Sequence, residues 1–137
     1  ALQPHYNLLV REKFEKEYAP LVEKFGLSVF TYWSLEAGFL TGKYRTEEDF
    51  SKTARGEGIR KYFDARGKAV LAALDKVAEK HHTTPATVSL AWLLAHPLVT
   101  APIVSATSAH QLETIFAAPE LKLDEQDLDL LNEAGKY

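Results

Sequence analysis

Apolar residues in this chain follow two rhythms, and the switches between them mark its elements. Leu27 to Trp33 is a run dense in β-branched and aromatic residues, which predicts a buried strand. It opens into a glycine-punctuated turn, Ala37-Gly38 through Thr41-Gly42, followed by Lys43. Before it, Phe14, Tyr18, Leu21, Val22 and Phe25 fall on one face of a 3.6-residue period and predict an amphipathic helix over roughly Glu12 to Phe25. Pro20 lies inside that run and must kink the helix or mark its true first turn. Gly26 then supplies a left-handed cap. At the start, Ala1 to Val10 reads as a short extended segment whose Pro4 confines it to a sheet edge or a strand end.

Beyond the turn, Arg45 to Asp64 shows little periodicity and reads as a long loop. A second helix is predicted from about Ala65 to His81, with Asp64 as N-cap and Val70, Leu71, Leu74, Val77 and Ala78 as its buried face. Thr84-Pro85 starts a third, Ala86 to Ala95, apolar on nearly every side (Val88, Leu90, Ala91, Trp92, Leu93, Leu94) and so expected to be deeply packed. Leu98 to Ala106 reads as a strand containing Pro102. Ser108 and Gln111 form a capping-box pattern for a fourth helix with Leu112, Ile115 and Phe116 on its apolar face. Asp124 caps a last helix that carries Leu128, Leu130 and Leu131 and stops at Gly135.

Strands alternating with helices predict a parallel α/β arrangement. Three strands cannot close a barrel, and as an open sheet they leave an apolar face or edge poorly covered. No internal repeat or low-complexity tract is present.

Composition narrows the picture. A chain of 137 residues has room for one domain, and its net charge of −3 argues against a broad nucleic-acid footprint. Absence of cysteine removes disulfides, thiolate zinc sites and a cysteine nucleophile, and fits a reducing cytoplasm. No apolar run reaches the length of a membrane span, so membrane insertion is not expected. Methionine is absent too, and the chain starts at Ala1, almost directly in an apolar segment; that reads as a piece of something longer, or as a trimmed terminus.

Candidate chemistry clusters at the predicted strand ends. A strand opening into a glycine-bearing turn with a cation is either punctuation or a ligand site, where backbone N–H groups approach an anion and Lys43 adds a point charge. Gln3 sits where ligands bind in α/β proteins, or is a solvated amide. From Lys43 to Lys68 eight bases stand against five acids, a local excess of positive charge. That segment is a solvated, salt-bridged loop or a mobile cover over an anionic ligand. The first N–H groups of the helix after Ser108 form an anion site by geometry alone. His81 and His82 point in different directions and make a poor metal pair; a helix-end cation or plain surface is the expectation.

The segments LQPHYNLLVR, YAPLVEKFGLSVFTYWSLEAGFLTGKYR, SATSAHQLE and LKLDEQDLDLLNEA resemble, in order and with the right spacing, the C-terminal half of the aldo-keto reductases. The bacterial and potassium-channel-β-like branches are the most similar. The resemblance covers essentially the whole chain, residues 1–137, as a partial aldo-keto reductase domain. It implies an α/β fold, the C-terminal portion (about strands six to eight and their helices) of a TIM-type (β/α)8 barrel with ligand residues at the C-terminal strand ends. It also implies NADP(H) as cofactor, with NAD not excluded. Gln3 matches the glutamine that hydrogen-bonds the nicotinamide carboxamide, and Tyr32 the aromatic that stacks on the nicotinamide ring. Ser34, Leu35 and Gly38 match the loop that wraps the pyrophosphate, and Lys43 the lysine that pairs with it. Thr107 and Gln111 match the residues around the 2′-phosphate and adenine, and the segment of about residues 45–64 the cover over the cofactor.

There are departures. Trp33 stands where many members have serine, Ser105 where glycine is usual, and Thr114 and Ile115 in place of an acid–Asn pair that holds adenine. The family's catalytic Asp, Tyr, Lys and His belong to the N-terminal half, so the resemblance places no catalytic residue in this chain. The expectation is a cofactor-holding part of an enzyme that reduces aldehydes and ketones, inactive by itself, with a small carbonyl substrate in the complete enzyme. A non-catalytic nucleotide-binding or regulatory module is the alternative, as is half of a split barrel completed by the missing N-terminal half or by homo-oligomerisation. A small hydrolase has little support: there is no GxSxG, and no histidine pairs with a nucleophile.

Overall fold

A two-stranded parallel sheet, extended on one side by isolated bridges to the N-terminal segment, organises the chain in the computed structural model, which describes residues 1–137. Strand β1 (Phe30–Thr31) pairs in parallel with β2 (Ala101–Pro102), Phe30 opposite Ala101 and Thr31 opposite Pro102. The N-terminal segment runs alongside β1 and joins it through isolated parallel bridges from Leu2 to Val29 and from His5 to Tyr32. Pro4 costs this edge nothing, because only its carbonyl is needed: it accepts from the Tyr32 N–H at 3.0 Å. Both strands are shorter than the apolar runs predict. Trp33, two residues past the end of β1, turns into left-handed backbone (φ 51°), and Pro102 has no N–H to donate.

Strand alternation gives the sheet two unlike faces. Leu2, Pro4, Tyr6, Val29 and Thr31 look into the helices, and Tyr6, Val29 and Thr31 are fully buried. Gln3, His5, Phe30, Tyr32 and Ile103 look the other way, where Phe30, Tyr32 and Ile103 remain exposed.

The first helix is continuous from Glu12 to Phe25, but a π-helical turn, Phe14–Tyr18, precedes its regular part, α1 (Ala19–Phe25). Pro20 lies in the first turn of α1 and cannot donate; the wider turn before it, with Ala19 N–H bonded to the Phe14 carbonyl, accommodates that loss. Gly26 caps α1 with φ 58°, as the sequence predicts. Only Phe14 and Val22 of the expected face are buried, whereas Leu21 and Phe25 are exposed.

Residues 45–64 are not an irregular loop. They form two 3₁₀ turns, Glu47–Lys52 and Arg60–Tyr62, flanking the single-turn helix α2 (Gly56–Ile59). Turns this short show no readable period, which is why the pattern looks empty. Phe50 is buried, stacked on Tyr44 at 4.9 Å between ring centres. Arg60 bonds Glu47 and Glu57. Arg45 makes a two-pronged pair with Asp75, both bonds 2.7 Å, which ties the start of the segment to the next helix.

That helix, α3 (Ala65–Lys80), is capped by Asp64, whose carboxylate accepts from Gly67 N–H at 2.8 Å. Its predicted face is buried throughout. Helix α4 (Pro85–Ala95) is capped by Thr84 and buried from Ala86 to Leu93, but Leu94 points outward. Helix α5 (Ala109–Ala117) buries no residue; Leu112 and Phe116, expected in the core, are exposed, Phe116 at 71%. Its capping box is one-sided: Ser108 accepts from Gln111 N–H, while the Gln111 side chain bonds Thr107 rather than Ser108. Helix α6 (Glu125–Ala134) buries Leu131 and turns Leu130 outward. Its cap is reciprocal between Asp124 and Asp127.

Candidate functional site

The segment that leaves β1 is held in costly backbone. Trp33, Glu36 and Ala37 have φ of 51°, 45° and 50°, followed by Gly38 at 100° and Gly42 at 80°. Each non-glycine residue in that region costs about 1–3 kcal/mol and persists only where the surroundings fix it. The fixing contacts are visible. Ser34 Oγ, fully buried, lies 3.1 Å from the carbonyls of both Thr31 and Ile103, pinning the end of β1 to the chain beyond β2. Thr41 Oγ donates to the Gly38 carbonyl at 2.7 Å. Asn7 Nδ2 donates to the Trp33 carbonyl at 2.9 Å and to Glu36 Oε2 at 2.7 Å.

Glu36 is fully buried. Its Oε2 also meets His5 Nε2 at 2.6 Å, and its Oε1 has no hydrogen-bond partner. Tyr62 is a neighbour: its phenol is pushed up to about 12, first by burial and then by the Glu36 carboxylate. The His5 ring stacks on Tyr32, 5.3 Å between centres with planes 28° apart, and meets Trp33 edge-on at 5.2 Å.

The residues expected at this site fall into three groups. At the sheet, Gln3 is exposed with no hydrogen bond to the others, and Tyr32 presents a ring 40% exposed. In the turn, the Ser34 hydroxyl is committed to backbone, so a ligand reaches that residue only through its main chain, and Leu35 is half-buried. Lys43 is exposed and has no carboxylate partner; its ammonium lies 5.2 Å over the Tyr44 ring. A Cβ on Gly38 would stand 3.0 Å from Lys43 Cε and Nζ, so glycine there leaves the lysine its place beside the turn. At α5, Gln111 Oε1 accepts from both Thr107 N–H (2.7 Å) and Thr107 Oγ (3.2 Å). Those bonds order the entry to the helix and leave the N–H groups of Ser108, Ala109 and His110 without protein acceptors. Among the departures, the Thr114 hydroxyl bonds back to the His110 carbonyl, and Trp33 stands exposed beside His5.

The donor set suits a phosphate-bearing ligand with a flat ring: an unpaired ammonium, free helix-start N–H groups and an open aromatic face. Sequence reasoning missed the network of His5, Asn7 and Glu36 beneath it. A single acid in the otherwise uncharged run FTYWSLEAGFL was its signal. His81 bonds Asp127 at 2.7 Å, and no group of three or more His, Cys, Asp or Glu is placed to hold a metal ion. No helix is long and apolar enough to cross a membrane.

The sequence model of the aldo/keto reductase family matches residues 1–136. The chain belongs to the aldo-keto reductase family. It is 32% identical over 134 residues to a Schizosaccharomyces pombe protein provisionally named an aryl-alcohol dehydrogenase, covering 97% of this chain and 37% of that one. It is 33% identical over 116 residues to an S. pombe protein provisionally named a voltage-gated potassium channel subunit beta, covering 80% of this chain and 34% of that one. A crystal structure of a thermostable aldo-keto reductase with the inhibitor epalrestat shares the fold, with a TM-score of 0.69 and 23% identity over 96% of this chain and 38% of that one. The chain thus spans well under half the length of these relatives. Aldo-keto reductases generally use NAD(P)H, which is compatible with the donor set of the turn and α5.

Proposed function

We propose that this aldo-keto reductase chain is the C-terminal portion of the (β/α)8 barrel of a cytoplasmic NADP(H)-dependent enzyme that reduces aldehydes or ketones. It supplies the cofactor-holding side and none of the catalytic residues. The observation that carries the reading is the unpaired Lys43 ammonium beside Gly38, at the end of a strand whose Tyr32 ring stands open. Lys43 holds the pyrophosphate, helped by the main-chain N–H groups of the Ser34–Gly38 turn other than those of Glu36 and Gly38, which bond the Trp33 and Leu35 carbonyls. Tyr32 supports the nicotinamide ring and Gln3 its carboxamide. Thr107, Gln111 and the start of α5 hold the adenosine phosphate. Bound there, the cofactor supplies the hydride; no residue of this chain is assigned the proton. Binding of NADPH to the 137-residue chain, read by nucleotide fluorescence, together with absence of turnover on a panel of aldehydes, is the expected result. Robust turnover overturns the assignment of catalysis to residues outside the chain, and no nucleotide binding overturns the cofactor reading.

The exposed sheet face of Phe30, Tyr32 and Ile103 supports a second reading, half of a barrel completed by another chain or a non-catalytic regulatory module. Size-exclusion chromatography with and without an N-terminal-half partner separates the two. A stable monomer without nucleotide affinity favours the regulatory module.

A further inference from the structure

Glu36 is an unusual residue to bury. It sits in left-handed backbone with φ 45°, its side chain is fully enclosed, and one carboxylate oxygen is left without a partner. Removing a carboxylate from water without a full set of donors is unfavourable, so packing alone does not account for an acid here. The other oxygen does visible work: it takes both His5 Nε2 and Asn7 Nδ2. Asn7 uses the same amide to hold the Trp33 carbonyl. His5 covers Tyr32 and abuts Trp33.

Tyr32 has little else to orient it. Its N–H bonds the Pro4 carbonyl, but its hydroxyl makes no hydrogen bond, so the tilt of the ring depends on what it stacks against. Within the chain the stacked partner is His5, with Trp33 edge-on farther away at 6.2 Å, and what holds His5 is Glu36. The contact is long-range: the two residues stand 31 positions apart and meet because the N-terminal segment pairs with β1. A side chain that reaches a site through a neighbour sets that neighbour's orientation.

The geometry points to Glu36 and His5 as a positioning pair: the buried Glu36 carboxylate clamps the His5 ring, and His5 sets the plane of Tyr32 and with it the seat of a nicotinamide ring. This rests on the reading of Tyr32 as the nicotinamide support. Neither residue is offered as catalytic.

The test is NMR and binding on the 137-residue chain, with NADPH and with adenosine bisphosphate, which keeps the adenosine phosphates and lacks nicotinamide. Wild type is expected to show a ring-to-ring NOE between His5 and Tyr32 and to bind both ligands. Glu36→Ala is expected to lose the NOE and to weaken NADPH about tenfold while leaving adenosine bisphosphate within about twofold. His5→Ala, a change at a partly exposed side chain that guards against a folding failure at Glu36, should give the same split. The double variant should be no weaker than either single one, as for groups that act as a unit. Glu36→Gln keeps the volume and an acceptor for His5, and should restore the NOE and most of the affinity. Unchanged NADPH binding in both alanine variants, or equal loss of both ligands, overturns the positioning role while the cofactor reading stands. A wild-type chain that binds neither ligand overturns the cofactor reading and this inference with it.

Discussion

His81 Nε2 lies 2.7 Å from Asp127 Oδ2 and joins the end of α3 to the first turn of α6. Lys80 Nζ takes the other oxygen at 2.8 Å, and Asp124 N–H bonds Oδ2 at 3.1 Å. Burial pushes the Asp127 carboxyl up, but the bonds from Lys80, His81 and the Asp124 N–H outweigh it and hold the group below its ordinary value. A depressed value in the folded state means stability that is present above the unfolded-state pKa and lost as pH falls through the folded one. Asp127→Asn is therefore expected to lower stability by about 1–3 kcal/mol at neutral pH and to flatten the acid side of the stability profile. Thermal melts from neutral pH down through the carboxylate range check this. An equal loss at all pH values would show that packing, not charge, holds the joint.

Gly67 offers a case where local and tertiary physics oppose each other. It is the third residue of α3, where alanine would favour the helix by about 1 kcal/mol. A methyl group there, however, would overlap the Tyr62 carbonyl oxygen and crowd the Phe39 ring at 3.2 Å. Overpacking of this kind costs about 1–3 kcal/mol or more. Gly67→Ala is expected to lower the denaturation midpoint, and a rise in that midpoint would refute the close approach of residues 60–62 to α3.

Caps were the most legible part of the fold. Gly26, Asp64, Thr84 and Asp124 each act where the sequence predicts, because a cap needs one residue at a fixed offset from a helix start or end. Faces were less legible. The helical period groups Leu21 with Val22, and Leu112 with Phe116, yet it carries no information about what covers a face, and these faces are partly or wholly open. Of the candidate ligand residues, the pattern by itself offers Gln3, the glycine turn with Lys43 and the helix start after Ser108, whereas Tyr32, Ser34, Leu35, Thr107 and Gln111 enter only through the family resemblance. Beneath them, the contacts of Glu36 with His5 and Asn7 span 31 and 29 positions, and the lone acid after β1 is their one local sign.

Helix α5 turns that open face into a prediction. Phe116 is exposed at 71% and Leu112 lies one turn before it on the same side. Since no burial is lost, Phe116→Ser is expected to change unfolding stability by less than about 0.5 kcal/mol. Removing part of an exposed apolar stripe should at the same time reduce self-association. Sedimentation or light scattering over a concentration series reads this directly. A large stability loss would mean that Phe116 is buried in solution, by another copy or by a shift of α5.

Lys43 gives the sharpest test of the cofactor reading. Its ammonium is exposed, has no carboxylate partner and rests beside Gly38, so the fold draws on its charge only through the cation–π approach to Tyr44, worth about 0.5–1 kcal/mol at an exposed site. Lys43→Ala should leave the thermal midpoint within about four degrees, in line with a surface change that loses one exposed cation–π contact. If Lys43 pairs with a pyrophosphate, the same substitution should weaken NADPH binding about tenfold, which corresponds to about 1.4 kcal/mol. The loss should be greatest at low ionic strength and shrink with added salt, because an exposed pair is screened. Lys43→Arg, which keeps the charge on a bulkier head, should recover part of the affinity. An alanine variant that binds NADPH as tightly as wild type at every salt concentration would remove Lys43 from the site. The glycine-punctuated turn after β1 would then be left without its proposed cation, and the anchoring role would fall to main-chain N–H groups of that turn and to the start of α5.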